Sequence, residues 1–255
     1  MSKGRRVCSL AMERIVILGV PVDPVSMPEA LVRLRAMAAG ADQRHVMTPN
    51  NEMIVQAWND PAFRSLLNRT ALNLPDSTGL LWAAKWTGQS LPSRVTGVDT
   101  VRELCASLDE SVGVFFLGAA PGVAERAAAA LRAANPRLRV AGTYAGSPRP
   151  HDAKEIVDRV NASAASLLFV AYGSPAQDRW IDEHLKEMPA VKVAMGIGGT
   201  FDFLAGTKKR APRWMRAAGL EWLYRFVQEP SRWRRMWNAV VVFPLLVIAR
   251  RSPAE

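Results

Sequence analysis

The stretch VGVFFLGAAPGVAERAAAALRAANPRLRVAGTY, residues 112–144, decides the fold. Its first seven residues form a short, continuous apolar run that ends in glycine, the pattern of a strand buried on both faces. AERAAAALRAA (124–134) is alanine-rich and helical, and LRVAGTY (138–144) reads as a second strand. A strand, a helix and a strand in that order form the repeating unit of a covered parallel sheet.

The alternation extends in both directions. Downstream, a helical IVDRVNA (156–162), a strand SLLFVAYG (166–173), a helical AQDRWIDEHLKEM (176–188) and a strand VKVAMGIGG (191–199) follow one another. Upstream, RIVILGV (14–20), HVMTPN (45–50) and ALNLPD (71–76) read as strands, with helices from about Pro28, Asn51 and Ser77. There is no internal repeat and no low-complexity linker. The expected fold is α/β, a Rossmann-like parallel sheet with helices on both faces over residues 1–210, plus a basic helical appendage over 211–255.

At 255 residues, 49% of them apolar and 22% charged, the chain is long enough for a sizeable core and too apolar for disorder. Cys8 and Cys105 form no metal or redox motif, and the N-terminus lacks an apolar signal-peptide core, so a reducing cytoplasmic compartment is expected. The net charge is +10, and Thr207–Arg251 carries nearly all of it, with eleven Lys and Arg against two Glu. A neutral body with a basic tail points to an anionic partner at the C-terminal end. The tail's apolar run, Ala239–Ala249, is 11 residues long and contains Pro244. As a helix it would cover roughly 16 Å, against about 30 Å of bilayer hydrocarbon. It is too short to span. With Trp233, Trp237 and arginines at its flanks, it is expected to lie in a membrane interface.

In open parallel sheets, ligands sit beyond the carboxyl ends of the strands. Those ends are Thr48-Pro-Asn50-Asn51, Pro75-Asp76-Ser77-Thr78, Gly118-Ala-Ala-Pro-Gly122, Gly173-Ser-Pro-Ala-Gln177 and Gly196-Ile-Gly198-Gly199. Helix N-termini converging there favour an anion such as a diphosphate; singly, each is also an ordinary turn. No G-x-G-x-x-G fingerprint, Walker A sequence or D-x-D pair occurs, and His45, His151 and His184 are scattered, so no metal or other cofactor is expected. Asp76 admits two readings: a helix N-cap, or a general base facing the crevice. Gln177 and the Asn50–Asn51 pair are likewise caps or ligand contacts. Asp202 reads as structural. In the tail, Trp222, Arg225, Glu229, Arg232 and Trp233 recur at helical spacing, interrupted at Pro230.

TPNNEMIV (48–55), LPDSTGLLWAAK (74–85), SRVTGVD (93–99), FVAYGSPAQDRWI (169–181) and GIGGTFDFLAGTKKRAPRWMRAAGLEWLYRFVQEPSRWRR (196–235) together resemble the WecG–TagA–CpsF family of bacterial glycosyltransferases. The resemblance covers roughly residues 15–240. It implies an inverting transfer of a hexose or N-acetylhexosamine (or its uronic acid) from a UDP-sugar to a polyprenyl-diphosphate-linked sugar, in cell-envelope and exopolysaccharide synthesis. The enzyme would work as a peripheral protein on the inner face of the cell membrane. Carried over by motif, Asp76 matches the proposed base and Gln177 matches the glutamine of G-x-P-x-Q-E, and these two are the expected catalytic residues. Thr48, Asn50 and Asn51 match the polar strand end, Arg94 falls in the third segment, and Gly118, Gly173, Gly198 and Gly199 are the glycines at the strand ends. Arg225, Arg232 and Arg235 match arginines thought to meet the lipid diphosphate. Two positions depart from the family pattern: the usual P-D-G is Pro75-Asp76-Ser77, and the usual P-K-Q-E is Pro175-Ala176-Gln177-Asp178.

The implied partners are the UDP-sugar as co-substrate, the lipid-linked acceptor and, through the tail, an anionic membrane surface. Nucleic acid is not expected, and a homo-oligomer is compatible with the sequence. Two rivals stand beside this reading. A nucleotide-dependent oxidoreductase lacks its glycine fingerprint. A nonenzymatic membrane- or nucleic-acid-binding module gives no reason for Asp76, Asn50 and Gln177 to gather at strand ends.

Overall fold

The structure, a computed structural model, describes residues 13–251. Eight strands occur among them: β1 (Ile15–Ile17), β2 (Val20–Val22), β3 (Arg44–Met47), β4 (Leu72–Asn73), β5 (Val114–Gly118), β6 (Val140–Tyr144), β7 (Leu167–Ala171) and β8 (Val193–Gly196). Six form one parallel sheet in the order β4-β3-β8-β7-β5-β6. Strands β5, β7 and β8 are buried along their whole length, which is why they are apolar at every position. The edge strand β6 is half-exposed and correspondingly carries Thr143, while Gly142 leaves room for the Phe115 ring, which a Cβ there would approach to 2.5 Å.

Alternate residues feed two cores. Val114 and Phe116 of β5, with Phe169 and Met195, pack against helices Met27–Ala38, Gly97–Ser107, Val123–Ala134 and Thr200–Leu204. The rings of Phe116, Phe169 and Phe201 cluster there at centroid distances of 5.5–5.9 Å. Phe115 and Leu117 point to the other face, onto helices Pro150–Ser163 and Ala176–His184. Next to these, Met47 meets helices Asn51–Asn59, Pro61–Arg69 and Thr78–Trp86. The α/β architecture with helices on both faces is therefore present.

RIVILGV does not join that sheet. Leu18 and Gly19 have φ of 50° and 81°, so the run folds back on itself as the antiparallel hairpin β1–β2. Two successive positive-φ residues make the tight turn that suits a hairpin. ALNLPD shortens to two strand residues, and helices 61–69 and 97–107 complete layers that periodicity left undivided.

The tail folds as helices Arg213–Ala217 and Glu221–Gln228, a 3-10 turn Pro230–Arg232, and a helical stretch over 233–251. That stretch widens into one π-helical turn at Asn238–Val242, two residues before Pro244. A proline has no amide hydrogen to donate, and its ring strikes the carbonyl four residues earlier; a wider turn accommodates both. The apolar run has two faces. Phe243 and Val247 are fully buried against helices 51–59 and 78–86, whereas Leu245 and Ile248 are exposed. One side is thus core, and only the other is free to meet a membrane interface. Among the described residues, no helix is long and apolar enough to cross a membrane.

Phe243→Ala should undock this stretch. Truncating a buried phenylalanine costs about 3–5 kcal/mol, so trypsin should cut at Arg234 and Arg235 at least ~100-fold faster. The urea midpoint of the body should shift little; a midpoint falling as far as the tail loosens would show that the two are one cooperative unit.

Candidate active site

A cleft of about 240 Å³ opens where β4, β3, β8 and β7 end. Backbone ties bring their loops together. Leu74 N–H donates to Met47 C=O (2.9 Å), Asp76 N–H to Pro49 C=O (3.1 Å) and Val95 N–H to Pro75 C=O (2.8 Å). The segment 74–76 is therefore clamped between the loop after β3 and the loop carrying Arg94.

Asp76 lines the cleft, half-buried. It does not cap the following helix: the N-cap is Ser77, whose hydroxyl donates to Asn51 Oδ1 (2.6 Å). The one-residue offset frees the Asp76 carboxyl. Burial pushes its pKa up to about 7 from the ordinary 3.8, while Arg225 and Arg94 pull it down, Glu221 pushes it up and the Gly97 amide pulls it down. Near neutral pH, such a carboxyl is ionised in a useful fraction and basic enough to take a proton.

Around it lie Thr48, Asn50, Asn51, Arg94, Gly173, Gln177, Gly198, Gly199, Arg225 and Arg235, all lining the cleft. Several also have structural bonds. Asn50 caps helix 51–59 by accepting from Met53 N–H (3.1 Å). Asn51 Nδ2 donates to Ala239 C=O (2.9 Å), tying the tail to the site. The helix residue Gly79 makes that reach possible, since a Cβ there would lie 2.1–2.6 Å from the Asn51 amide. Thr48 Oγ1 donates to Gly196 C=O at 3.4 Å. Gln177 is buried, and its Oε1 accepts from both Gly173 N–H (3.1 Å) and Gly198 N–H (2.9 Å), so one oxygen fixes two glycine loops. A Cβ on Gly196 would overlap the Gln177 and Asp178 side chains, which explains the glycine there. Asp202 is structural, as read, accepting from Thr207 Oγ1 (3.1 Å).

Two expected residues are not brought in. Gly118 ends β5, one strand beyond the cleft, with φ of 103° and its α-carbon so close to the Ala171 backbone that a Cβ would lie 2.8 Å away. Its glycine serves packing, and it does not line the cleft. The side chain of Arg232 lies outside the described residues.

Motif reading missed Arg210, Glu221 and Glu52, which also line the cleft. Arg210 binds both carboxylate oxygens of Asp99. Burial raises the Asp99 pKa, but Arg210 and Thr96 hold it below the usual range overall. Glu221 accepts from Arg94 (3.2 Å) and Arg225 (3.3 Å), and Glu52 accepts from Arg235. A glutamate inside a segment of +9 was the available signal, because an isolated acid there needs a cationic partner. The geometry offers a partly desolvated base beside helix N-termini and four arginines, which suits a reaction that deprotonates one group and expels an anion.

Comparisons with known proteins agree with that chemistry. The family model "Glycosyl transferase WecG/TagA/CpsF family" matches residues 15–255. The chain is 34% identical over 192 residues to the N-acetylglucosaminyldiphosphoundecaprenol N-acetyl-beta-D-mannosaminyltransferase of Bacillus spizizenii, covering 75% of this chain and 74% of that one. A protein of the same name from Staphylococcus aureus is 29% identical over 243 residues, 94% of each chain.

Asp76→Asn should stabilise the fold at alkaline pH. Between about pH 4 and 7 the folded state keeps a proton that the unfolded chain has lost, so this carboxyl reduces stability as pH rises through that window. At pH 8 the variant should exceed the parent in urea unfolding, by up to about 4 kcal/mol and by less where solvent screens this half-buried carboxyl, with the gap closing below pH 4. A less stable variant at pH 8 would mean that the carboxylate is well compensated.

Proposed function

The chain belongs to the WecG/TagA/CpsF family of glycosyl transferases, and we propose that it moves an N-acetylhexosamine, N-acetylmannosamine first among the candidates, from a UDP-sugar to N-acetylglucosamine on a polyprenyl diphosphate. The acceptor is the substrate class that the relatives' names print. The observation that carries the reading is Asp76, a carboxyl raised to about 7 in a cleft flanked by arginines.

Asp76 takes the proton of the acceptor hydroxyl, and the hydroxyl oxygen forms a bond to the anomeric carbon. The bond from that carbon to the UDP oxygen breaks, and its electron pair leaves with the diphosphate. A single displacement by one base inverts the anomeric centre. The departing diphosphate needs charge stabilisation more than a proton, and Arg94 and Arg225 supply it together with the Gly199 amide, the amides of Gly173 and Gly198 being bonded to Gln177. Gln177 acts by holding two of those loops in place. Arg232 and Arg235 neutralise the acceptor's diphosphate. No metal ion or other cofactor is given a part in this scheme.

A lipid-linked acceptor requires the enzyme at a membrane surface. The exposed Leu245, Ile248, Trp233 and Trp237 support a peripheral membrane contact, placed on the cytoplasmic face because that is where the resemblance puts the reaction. Each tail cation near anionic lipid is worth about 1 kcal/mol. The product would feed a cell-surface polysaccharide. Family membership sets aside the oxidoreductase and the nonenzymatic module.

The test is turnover of UDP-N-acetylmannosamine, UDP-glucose and UDP-N-acetylmannosaminuronic acid with a short-chain polyprenyl-diphosphate N-acetylglucosamine, followed by UDP release and product mass. One donor should give a disaccharide lipid, and Asp76→Asn should lose roughly 10²–10⁴-fold in kcat. A folded Asp76→Asn protein with near-parental kcat removes the base assignment.

A further inference from the structure

Glu221 is a buried charge at the cleft that the scheme above leaves unused. It is 8% exposed, on the helix Glu221–Gln228 that lies over the cleft. Its Oε2 accepts from Arg94 at 3.2 Å, its Oε1 accepts from Arg225 at 3.3 Å, and Arg210 Nε approaches to 3.9 Å. These three arginines come from separate parts of the chain. Arg94 precedes helix 97–107, Arg210 follows helix 200–204 and is anchored behind by Asp99, and Arg225 lies one turn along from Glu221 itself. Without a shared anion, three guanidiniums this close would repel one another.

We propose that Glu221 is a positioning residue: its carboxylate gathers Arg94, Arg210 and Arg225 at one wall of the cleft and places negative charge beside Asp76, keeping that carboxylate basic among the arginines. The proposal rests on Asp76 as the base. The charged groups facing Asp76 are Arg225 and Glu221 from the overlying helix, Arg94 from its loop and Arg210 from the strap after helix 200–204. Glu52 and Arg235 form a separate pair that also lines the cleft.

Removing the Glu221 charge leaves the arginines acting on Asp76 unopposed. This favours its ionised form and makes it a weaker base. Water entering a loosened site would also lower the midpoint, by relieving the burial that raises it; Glu221→Asp, which keeps the charge and should keep the midpoint, separates the two.

The test is a carbon-13 NMR titration of protein labelled at aspartate carboxyls, with the Asp76 signal assigned by its loss in Asp76→Asn. The parent midpoint should lie near 7. In Glu221→Gln it should fall by about one unit, and the acid limb of kcat/KM, read with UDP-N-acetylmannosamine and the short-chain acceptor, should fall with it. A Glu221→Gln midpoint equal to or above the parent's overturns the proposal. If Glu221→Gln does not fold, Glu221→Asp decides: with the charge kept on a shorter arm, the midpoint should hold while the UDP-sugar KM rises about tenfold, and an unchanged UDP-sugar KM overturns the positioning role. An acid limb that survives in Asp76→Asn removes the base reading instead, and leaves the midpoint shift standing as a separate result.

Discussion

Taking a carboxylate out of water at the end of a strand is costly, and much of this site exists to make Asp76 tolerable there. Desolvation alone would leave a neutral acid, and arginines alone would leave a carboxylate too weakly basic for proton transfer. The protein sets one against the other. Burial raises the pKa, Arg225 and Arg94 lower it, and Glu221 moderates the arginines, so that it settles at about 7. The backbone cooperates through short bonds that hold residues 74–76 between two loops. Those bonds require β3 and β4 to lie side by side, which the sheet order supplies.

The tail is part of this balance, although composition sets it apart. Arg225 and Glu221 belong to its helices, Asn51 reaches back to Ala239, and Phe243 and Val247 enter the body's core. A segment that carries nearly all the net charge of the chain therefore also supplies charges that act on the Asp76 carboxyl. The arrangement links seating of the tail to chemistry without any ligand passing a signal between distant sites.

How much of this was legible depended on range. Strands β5, β7 and β8 could be read because a strand covered on both faces has no polar alternation. The hairpin could not, because six apolar residues around Leu18 hid a turn that only a positive φ reveals. Asp76 stood in the right place, yet spacing alone favoured a helix cap there; the structure gives that position to Ser77. Gly118 looked like its fellow strand-end glycines, but β5 lies one strand too far along the sheet and its glycine packs against Ala171. Arg94 and Glu221 are 127 positions apart, and no local pattern carries a pairing of that length. Gln177 was singled out by motif, and the structure shows what its side chain holds: one oxygen accepts from two loop amides.

The account depends on a single carboxylate acting in one displacement, and that leaves a stereochemical signature. The most direct measurement is the anomeric configuration of the product, read by proton–carbon coupling at the new glycosidic carbon after reaction with an α-linked UDP-N-acetylhexosamine. A β-linked product, formed without any sugar-modified enzyme along the way, is what the account predicts. An α-linked product would require two displacements or a front-face path, and would contradict a mechanism built on Asp76 as the sole base.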